Sequence, residues 1–385
     1  MLKELSELPV YERLDFRPVR GRGCYLWDAA GRRVLDLYAG HAVALTGHAH
    51  PRVATAVAEQ AERLLFYSNA LPLEPREHLL ERLARLAPPE LGHLFLVNSG
   101  AEANEQALAL ARRATGRERV VVIEGGFHGR TLATLACAGT PRHRELARRA
   151  GGGALAALTD VCPFGDTRAL ESLVTDRTAA VLAEPVQGLA GARPLPTEFL
   201  CRARELCDAA GAVLVFDEVQ SGCGRTGAFT AAQRLGIRPD AITLAKGIAS
   251  GLPLGVLLVS DRLAEGIGKG DLGSTFGGGP VPCAAAAATL AVLEEERLAE
   301  RAREIGALIA GAAARLPGVR EVRGAGLLLG LVLDRPAAQV QRELLAQGVL
   351  AGTSADPSVL RLLPPLVAGE GEAGEFLAAL ERVLT

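Results

Sequence analysis

What the sequence lacks narrows it first. Its seven cysteines (24, 137, 162, 201, 207, 223 and 283) contain no C-x-x-C pair, and an odd, scattered set fits neither a disulfide framework nor a zinc site. A reducing compartment is the natural setting. No uninterrupted apolar stretch approaches the ~18 residues of a membrane span, and the N-terminal MLKELSELPVYERLDF has no apolar core of a signal peptide, so a cytoplasmic protein is expected. A dominant charge sign is missing too. With 42 basic and 44 acidic residues the formal net charge is -2, which supplies no global attraction to nucleic acid or an anionic membrane. A small-molecule partner fits better. Internal repeats and low-complexity tracts are absent apart from Ala-rich helical runs, and the excess of Arg over Lys carries no functional weight.

What is present describes an α/β chain. Apolar residues make up 49% and charged residues 22% of 385 positions, with 44 Gly and 21 Pro spread throughout, a composition that argues against disorder. At ~100–200 residues per domain, about two domains are expected. Short apolar runs (HLFLVNSG, RVVVIEGG, AAVLAEPVQG, AVLVFDEV, AITLAKG) alternate with helical patterns such as EANEQALALARRATG and TEFLCRARELCDAAG. That alternation predicts βαβ units and a mostly parallel sheet covered by helices on both faces. Residues 51–284 are expected to form the large domain. The YLWDAAGRRVLDLYAG hairpin pattern, the Ala-rich helix or broken helix pair after residue 283, and a final strand-turn-helix group predict a smaller domain assembled from residues 1–50 and 285–385. Gly151-Gly152-Gly153 reads as a loose surface segment.

The run AVLVFDEVQSGCGRTG (212–227) contains a literal G-x-G-x-x-G, but its geometry is wrong for a dinucleotide turn. Five residues separate the strand end from Gly222, and no acid closes the following strand. Nicotinamide or flavin binding is therefore disfavoured. The informative residue is Asp217, at the carboxyl end of a parallel strand, where α/β sheets bind ligands; taken alone it would read as an ordinary turn or helix cap. Lys246 ends the next strand run in TLAKG, a setting that desolvates an amine and readies it for Schiff-base chemistry, although a lone strand-end lysine is usually just solvated. Together they suit pyridoxal phosphate, the lysine on its aldehyde carbon and the aspartate on its ring nitrogen. VNSGAEAN (97–104) offers the phosphate a helix N-terminus preceded by Ser99, and GSTFGGGP (273–280) could add Ser274 and Thr275.

These segments carry a resemblance. NSGAEAN (98–104), GGFHGRTLATL (125–135), AEPVQG (183–188), FDEVQSGCGRTG (216–227), PDAITLAKGIASGLPLG (239–255), GSTFGGGP and VLRLLPPL (359–366) occur in the order seen in class III, fold-type I pyridoxal-phosphate aminotransferases. The sequence resembles that family over nearly its whole length and is closest to acetylornithine aminotransferases. The resemblance implies Lys246 and Asp217 as catalytic residues, Lys246 carrying the cofactor and Asp217 facing the ring nitrogen. It implies Phe127 and Val219 on the two ring faces, Gln220 at the ring hydroxyl, Glu184 beside Lys246, and Ser99, Gly100 and Ala101 at the phosphate. Thr275 would reach that phosphate from the second subunit of a homodimer. Arg130 and Arg361 would grip substrate carboxylates, with Ser274 a further substrate contact.

Two positions depart from the family. Leu189 stands where these relatives usually carry a glutamate that masks the C-terminal arginine, and Gly279 replaces the usual Asn. The expected reaction is ping-pong transfer of the ω-amino group of N-acetylornithine, or a close analogue, to 2-oxoglutarate. Ornithine, succinyl-diaminopimelate, 4-aminobutyrate and a carrier-linked lysine precursor remain as alternative donors, and a pyridoxal-phosphate aminomutase or a catalytically silent scaffold is less favoured. His41, His48 and His50 have an H-x-H look, but no metal is expected because no further ligand is evident. His128 reads as positioning the Phe127 loop and Cys223 as packing, while Tyr67 and Asn69 read equally as entrance or turn residues.

Overall fold

The computed structural model describes residues 5–385; residues 1–4, which open both the N-terminal segment and the expected small domain, lie outside the described residues. The apolar runs form a seven-stranded sheet in the spatial order His93–Val97, Gly255–Val259, Ala241–Leu244, Val213–Asp217, Thr178–Ala183, Arg119–Ile123, Thr159–Cys162. Gly255–Val259 is antiparallel to both neighbours and the remaining pairings are parallel. The expected mostly parallel sheet is thus present. Two of its strands, Thr159–Cys162 and Gly255–Val259, were not marked by the sequence reading. The connection from Leu244 to Gly255 contains only the short turn Lys246–Ala249, too little for a crossover helix, so the chain returns antiparallel.

Alternate side chains of the central strands enter different layers. Leu214, Phe216, Ile242 and Leu244 join one apolar cluster, whereas Val213, Val215, Ala241 and Leu257 join another. Burial on both faces explains why these strands read as continuous apolar runs. The helix Gly100–Thr115 seals one face. It is capped by Ser99, whose hydroxyl accepts from Glu102 N at 3.2 Å, and ends at Gly116 in the left-handed region.

The two chain ends meet in a second sheet. Tyr25–Asp28 and Arg33–Asp36 form the expected antiparallel hairpin, and Val349–Leu350 adds to Arg33–Asp36 in parallel. A further sheet joins Val319–Ala325, Leu328–Leu333, Val359–Leu362 and Gly352–Thr353. The Ala-rich run becomes two helices, Pro280–Glu295 and Leu298–Ala313, broken at Arg297, whose φ is 51°. The first is so rich in alanine that it packs closely against both Pro51–Arg63 and Glu74–Leu86. Gly151–Gly153 departs in part from the expected loose surface segment: Gly151 and Gly153 are exposed and Gly151, at φ 88°, kinks the chain, but the stretch lies between the helical turns Arg148–Gly152 and Gly153–Ala157, with Gly152 buried against Leu132. Among the described residues no helix is long and apolar enough to cross a membrane.

Candidate active site

Three strand ends of the large sheet open into one pocket of about 590 Å³. His93–Val97 runs into Asn98, Ser99, Gly100 and Ala101; Val213–Asp217 delivers Asp217, Val219 and Gln220; Ala241–Leu244 delivers Ala245 and Lys246. Phe127 and Arg130 enter from the loop after Arg119–Ile123, and Glu184 and Leu189 from the turn after Thr178–Ala183. Arg361 completes the pocket from the C-terminal sheet. Asp217 pairs in register with Thr243, and only Leu244 and Ala245 separate Thr243 from Lys246 at the same sheet edge.

Asp217 is 3% exposed and firmly held. Its Oδ2 accepts from Asn104 Nδ2 at 2.8 Å and lies 2.8 Å from His128 Nδ1, while its Oδ1 accepts from Val219 N at 3.1 Å. The Asn104 amide is fixed in turn: it donates to His128 O and accepts from the Thr243 hydroxyl, both at 2.8 Å. His128 therefore does more than position the Phe127 loop; its ring contacts the aspartate directly. Glu184 Oε1 accepts from Phe127 N at 2.7 Å and its Oε2 from Gly188 N at 3.0 Å, tying two loops together. Burial, then the charge of Asp217, pushes the Glu184 carboxyl above its ordinary pKa, with His128 and the two backbone donors opposing.

Lys246 is partly buried at the pocket wall, and desolvation pulls its amine pKa down against the attraction of Asp217 and Glu184. Its backbone φ of 47° is uncommon for a residue with a side chain, a local strain of the kind that collects at functional sites. At the opposite end of the donor set, the first amides of Gly100–Thr115 face the pocket with the positive end of that helix dipole. A methyl at Gly100 would lie 2.6 Å from Val219 Cγ2, so only glycine lets this helix start approach that side chain. At Gly188 a methyl would collide with Gln220 Oε1 for the same reason.

The two arginines differ. Arg361 is 4% exposed and gives its protons to neutral acceptors: Thr353 O (2.6 Å), Gly188 O (2.9 Å), Gln220 Oε1 (3.4 Å) and the Tyr38 hydroxyl (2.9 Å). Burial lowers its pKa, with Tyr38 and Glu184 opposing. Leu189, one residue beyond the Gly188 carbonyl, brings no charge. Arg130 is exposed at the pocket wall and lies 5.6 Å from the Phe127 ring centroid; His143 meets that ring edge-on at 5.0 Å.

Ser274 does not line this pocket: its Oγ accepts from Gly277 N at 3.0 Å and from Asn98 Nδ2 at 3.3 Å, which fixes its loop. Thr275, expected to reach the phosphate of a second subunit, lies in the same loop outside its own chain's pocket. Asn69 belongs to the same tie, donating to Ser274 O and Gly277 O. Gly279 caps Pro280–Glu295 with φ -58°, a conformation any residue adopts. His48 pairs with Asp36 and His50 with Glu296, while His41 faces Tyr38. Cys223 is buried, and that burial pushes its thiol up to about 12. Sequence reasoning missed Asn104, Thr243, Tyr38 and His143. Asn104 had a findable signal, sitting one helical turn after Gly100 on the face toward the sheet.

A helix N-terminus for a phosphate, a carboxylate for a protonated ring nitrogen and a desolvated lysine for an aldehyde share one cavity, so the residues fit pyridoxal phosphate. Comparison with known proteins agrees. The class-III aminotransferase family model matches residues 10–384. Acetylornithine aminotransferase of Methanopyrus kandleri is 43% identical over 97% of this chain and 95% of its own. [LysW]-aminoadipate semialdehyde transaminase of Deinococcus radiodurans is 40% identical over 97% of this chain and 87% of its own. A solved amine transaminase from an uncultivated Pseudomonas species, in its pyridoxal-phosphate-bound form, superposes with a TM-score of 0.88 at 29% identity, covering 99% of this chain and 98% of that one. The family's substrates are small amino and keto acids. With the family pattern spanning almost every residue and its lysine, aspartate and helix terminus gathered in one pocket, the chain belongs to the class-III, pyridoxal-phosphate-dependent aminotransferases.

Proposed function

We propose that this protein transfers the ω-amino group of N-acetylornithine, or of a close N-acylated analogue, to 2-oxoglutarate by a ping-pong route. The observation that carries the reading is the placement of Lys246 and Asp217 at adjacent strand ends of a pocket that also holds two guanidinium groups. The first amides of Gly100–Thr115 and Ser99 would hold the cofactor phosphate, Asp217 its ring nitrogen, Phe127 and Val219 its ring faces, and Gln220 its hydroxyl. Pyridoxal phosphate, when bound, supplies an electron sink for charge developing at the carbon that bears the donor amine.

The chain's own groups do the rest. Lys246 Nζ, biased toward its neutral form by desolvation, takes a proton from the amine-bearing carbon and returns it one position along. Asn104 and His128 keep Asp217 fixed in place while this happens. Arg130 and Arg361 orient carboxylates through the planar fork of the guanidinium. Leu189 adds no carboxylate of its own beside Arg361, whose hydrogen bonds all go to neutral acceptors, so at position 189 an acid at the donor's distal end meets no like charge. The relative named as acting on a carrier-linked semialdehyde keeps a longer amide-linked donor as the second reading.

A division into a cofactor-binding domain (51–284) and a smaller domain (1–50 with 285–385) accords with the pairing of Val349–Leu350 onto Arg33–Asp36. The homodimer is supported by an exposed apolar patch, Leu65, Phe66, Tyr67, Leu71 and Phe276, which adjoins the Ser274–Thr275 loop. The test is a donor panel with 2-oxoglutarate, reading glutamate, beside absorbance spectra from 300 to 500 nm. N-acetylornithine should bleach the bound-cofactor band of the wild type, and Lys246→Ala should show no such change. A wild type inert to every ω-amino donor would sink the proposal.

A further inference from the structure

His41 takes no part in the chemistry above, yet it lines the same pocket as Lys246 and Arg361. Its φ is 66°, the left-handed region that histidine, asparagine and aspartate tolerate better than most side chains. Its Nδ1 lies 2.7 Å from the Tyr38 hydroxyl, and the two rings are 4.7 Å apart at a tilt. Arg361 Nη2 donates to that same hydroxyl at 2.9 Å. A guanidinium has no acceptor, so the Tyr38 oxygen must accept there, and its own proton is left to point at His41 Nδ1.

This chain of bonds sets the imidazole tautomer. Burial holds the Tyr38 phenol above its ordinary pKa against the pull of Arg361, so its proton stays in place. Burial, and then Arg361 and Lys246, lower the pKa of His41, which keeps the ring uncharged at neutral pH. A neutral imidazole that accepts at Nδ1 carries its hydrogen on Nε2. One side of the ring rests against Tyr38, but the residue is exposed overall and lines the pocket, which leaves that N–H available to a ligand.

We infer that His41 is a specificity-determining residue whose Nε2–H donates a hydrogen bond to the amide carbonyl oxygen of an N-acylated amino donor. Resting on the aminotransferase reading above, the inference adds what distinguishes one donor from another. Carboxylates are matched by Arg130 and Arg361, whose charge and paired donors outcompete a single neutral N–H. An uncharged donor is suited to the remaining polar group of an acylated substrate, a neutral carbonyl. Val43 and Leu189, in the same lining, give the acyl carbon an apolar wall.

The experiment compares holoenzyme carrying His41→Phe or His41→Gln with the wild type. Phenylalanine keeps the ring and removes the donor; glutamine can place an N–H near the position of Nε2. Steady-state rates are measured with N-acetylornithine and ornithine, and calorimetric binding with N-acetylnorvaline and norvaline, which lack the transferable amine. In His41→Phe the kcat/KM preference for N-acetylornithine over ornithine should fall about tenfold, through KM rather than kcat, and the N-acetylnorvaline preference should fall by the same factor. His41→Gln should recover most of both. Equal losses on acylated and free donors, or no loss at all, would overturn the inference. If the wild type transfers from neither donor, the functional reading has failed and the calorimetry still decides: unchanged acyl preference in His41→Phe refutes the role of His41, and a reduced one upholds it.

Discussion

Asn104 offers the sharpest test of how the fold serves the site. Its side chain is completely buried and makes three hydrogen bonds of 2.8 Å, to His128 O, Asp217 Oδ2 and the Thr243 hydroxyl. Replacing it with alanine removes two bonds between neutral groups, about 1 kcal/mol each, and one to a carboxylate, about 1.5–3 kcal/mol, and strands the Thr243 hydroxyl and the His128 carbonyl in the core. Asn104→Ala should therefore lose about 3–5 kcal/mol of stability, a large part of a typical total of ~5–15 kcal/mol. Asp217 keeps its contacts with His128 Nδ1 and Val219 N, so it stays at the site but gains freedom. The expected signature is a strongly lowered urea midpoint together with a donor half-reaction slowed about 10–100-fold, a positional effect on a group still present. Thr243→Val should cost about 1 kcal/mol alone and much less in the Asn104→Ala background, because both touch one network. Loss below about 1 kcal/mol with unchanged single-turnover rate, or strict additivity of the pair, would show that this network does not hold Asp217.

Two further predictions follow from groups away from the reacting carbon. Glu218 is buried beneath the Gly-rich turn, accepts from Ala232 N at 2.8 Å and from Ala231 N, and burial raises its carboxyl to about 7 against those donors. Because the folded state binds the proton more tightly than the unfolded one, its stabilising contribution is full below the ordinary carboxylate pKa and is lost as pH rises to about 7. The Tm difference between wild type and Glu218→Gln should accordingly drift in favour of the variant from pH 5 to pH 8; a difference independent of pH would contradict the argument. At the apolar patch, Phe66 and Phe276 lie 4.9 Å apart with Phe276 65% exposed. On the homodimer proposed above, in which Thr275 would reach the phosphate of the second subunit, Phe276→Asp should shift the protein toward monomer in sedimentation and lower cofactor retention; an unchanged association state would place any interface elsewhere.

Much of the site was legible because its residues stand at strand ends, where local pattern fixes position. Asp217 and Lys246 each follow a short apolar run, and a parallel sheet puts such positions on one edge whatever the intervening sequence. The G-x-G-x-x-G after Asp217 was correctly set aside: in the structure it is a turn with Cys223, Gly224 and Gly227 at positive φ, followed only by the five-residue helix Ala231–Leu235. Gly255–Val259 escaped notice because an apolar run of that length announces neither its existence as a strand nor its direction. Ser274 was expected at the substrate, but a hydroxyl beside glycines reads the same whether it ties a loop or faces a ligand.

By itself the sequence determined the layered α/β architecture, the strand ends that carry Lys246 and Asp217, and the helix N-terminus at Ser99-Gly100-Ala101. These follow from periodicity and capping, which act over a few residues. Only the tertiary structure decided who holds those groups in place. Asp217 rests on Asn104 and His128, and Arg361 rests on Gly188, Thr353 and Tyr38, partners up to 323 positions away in the chain. A buried polar group must find its partner wherever packing brings one, and no local pattern records that choice.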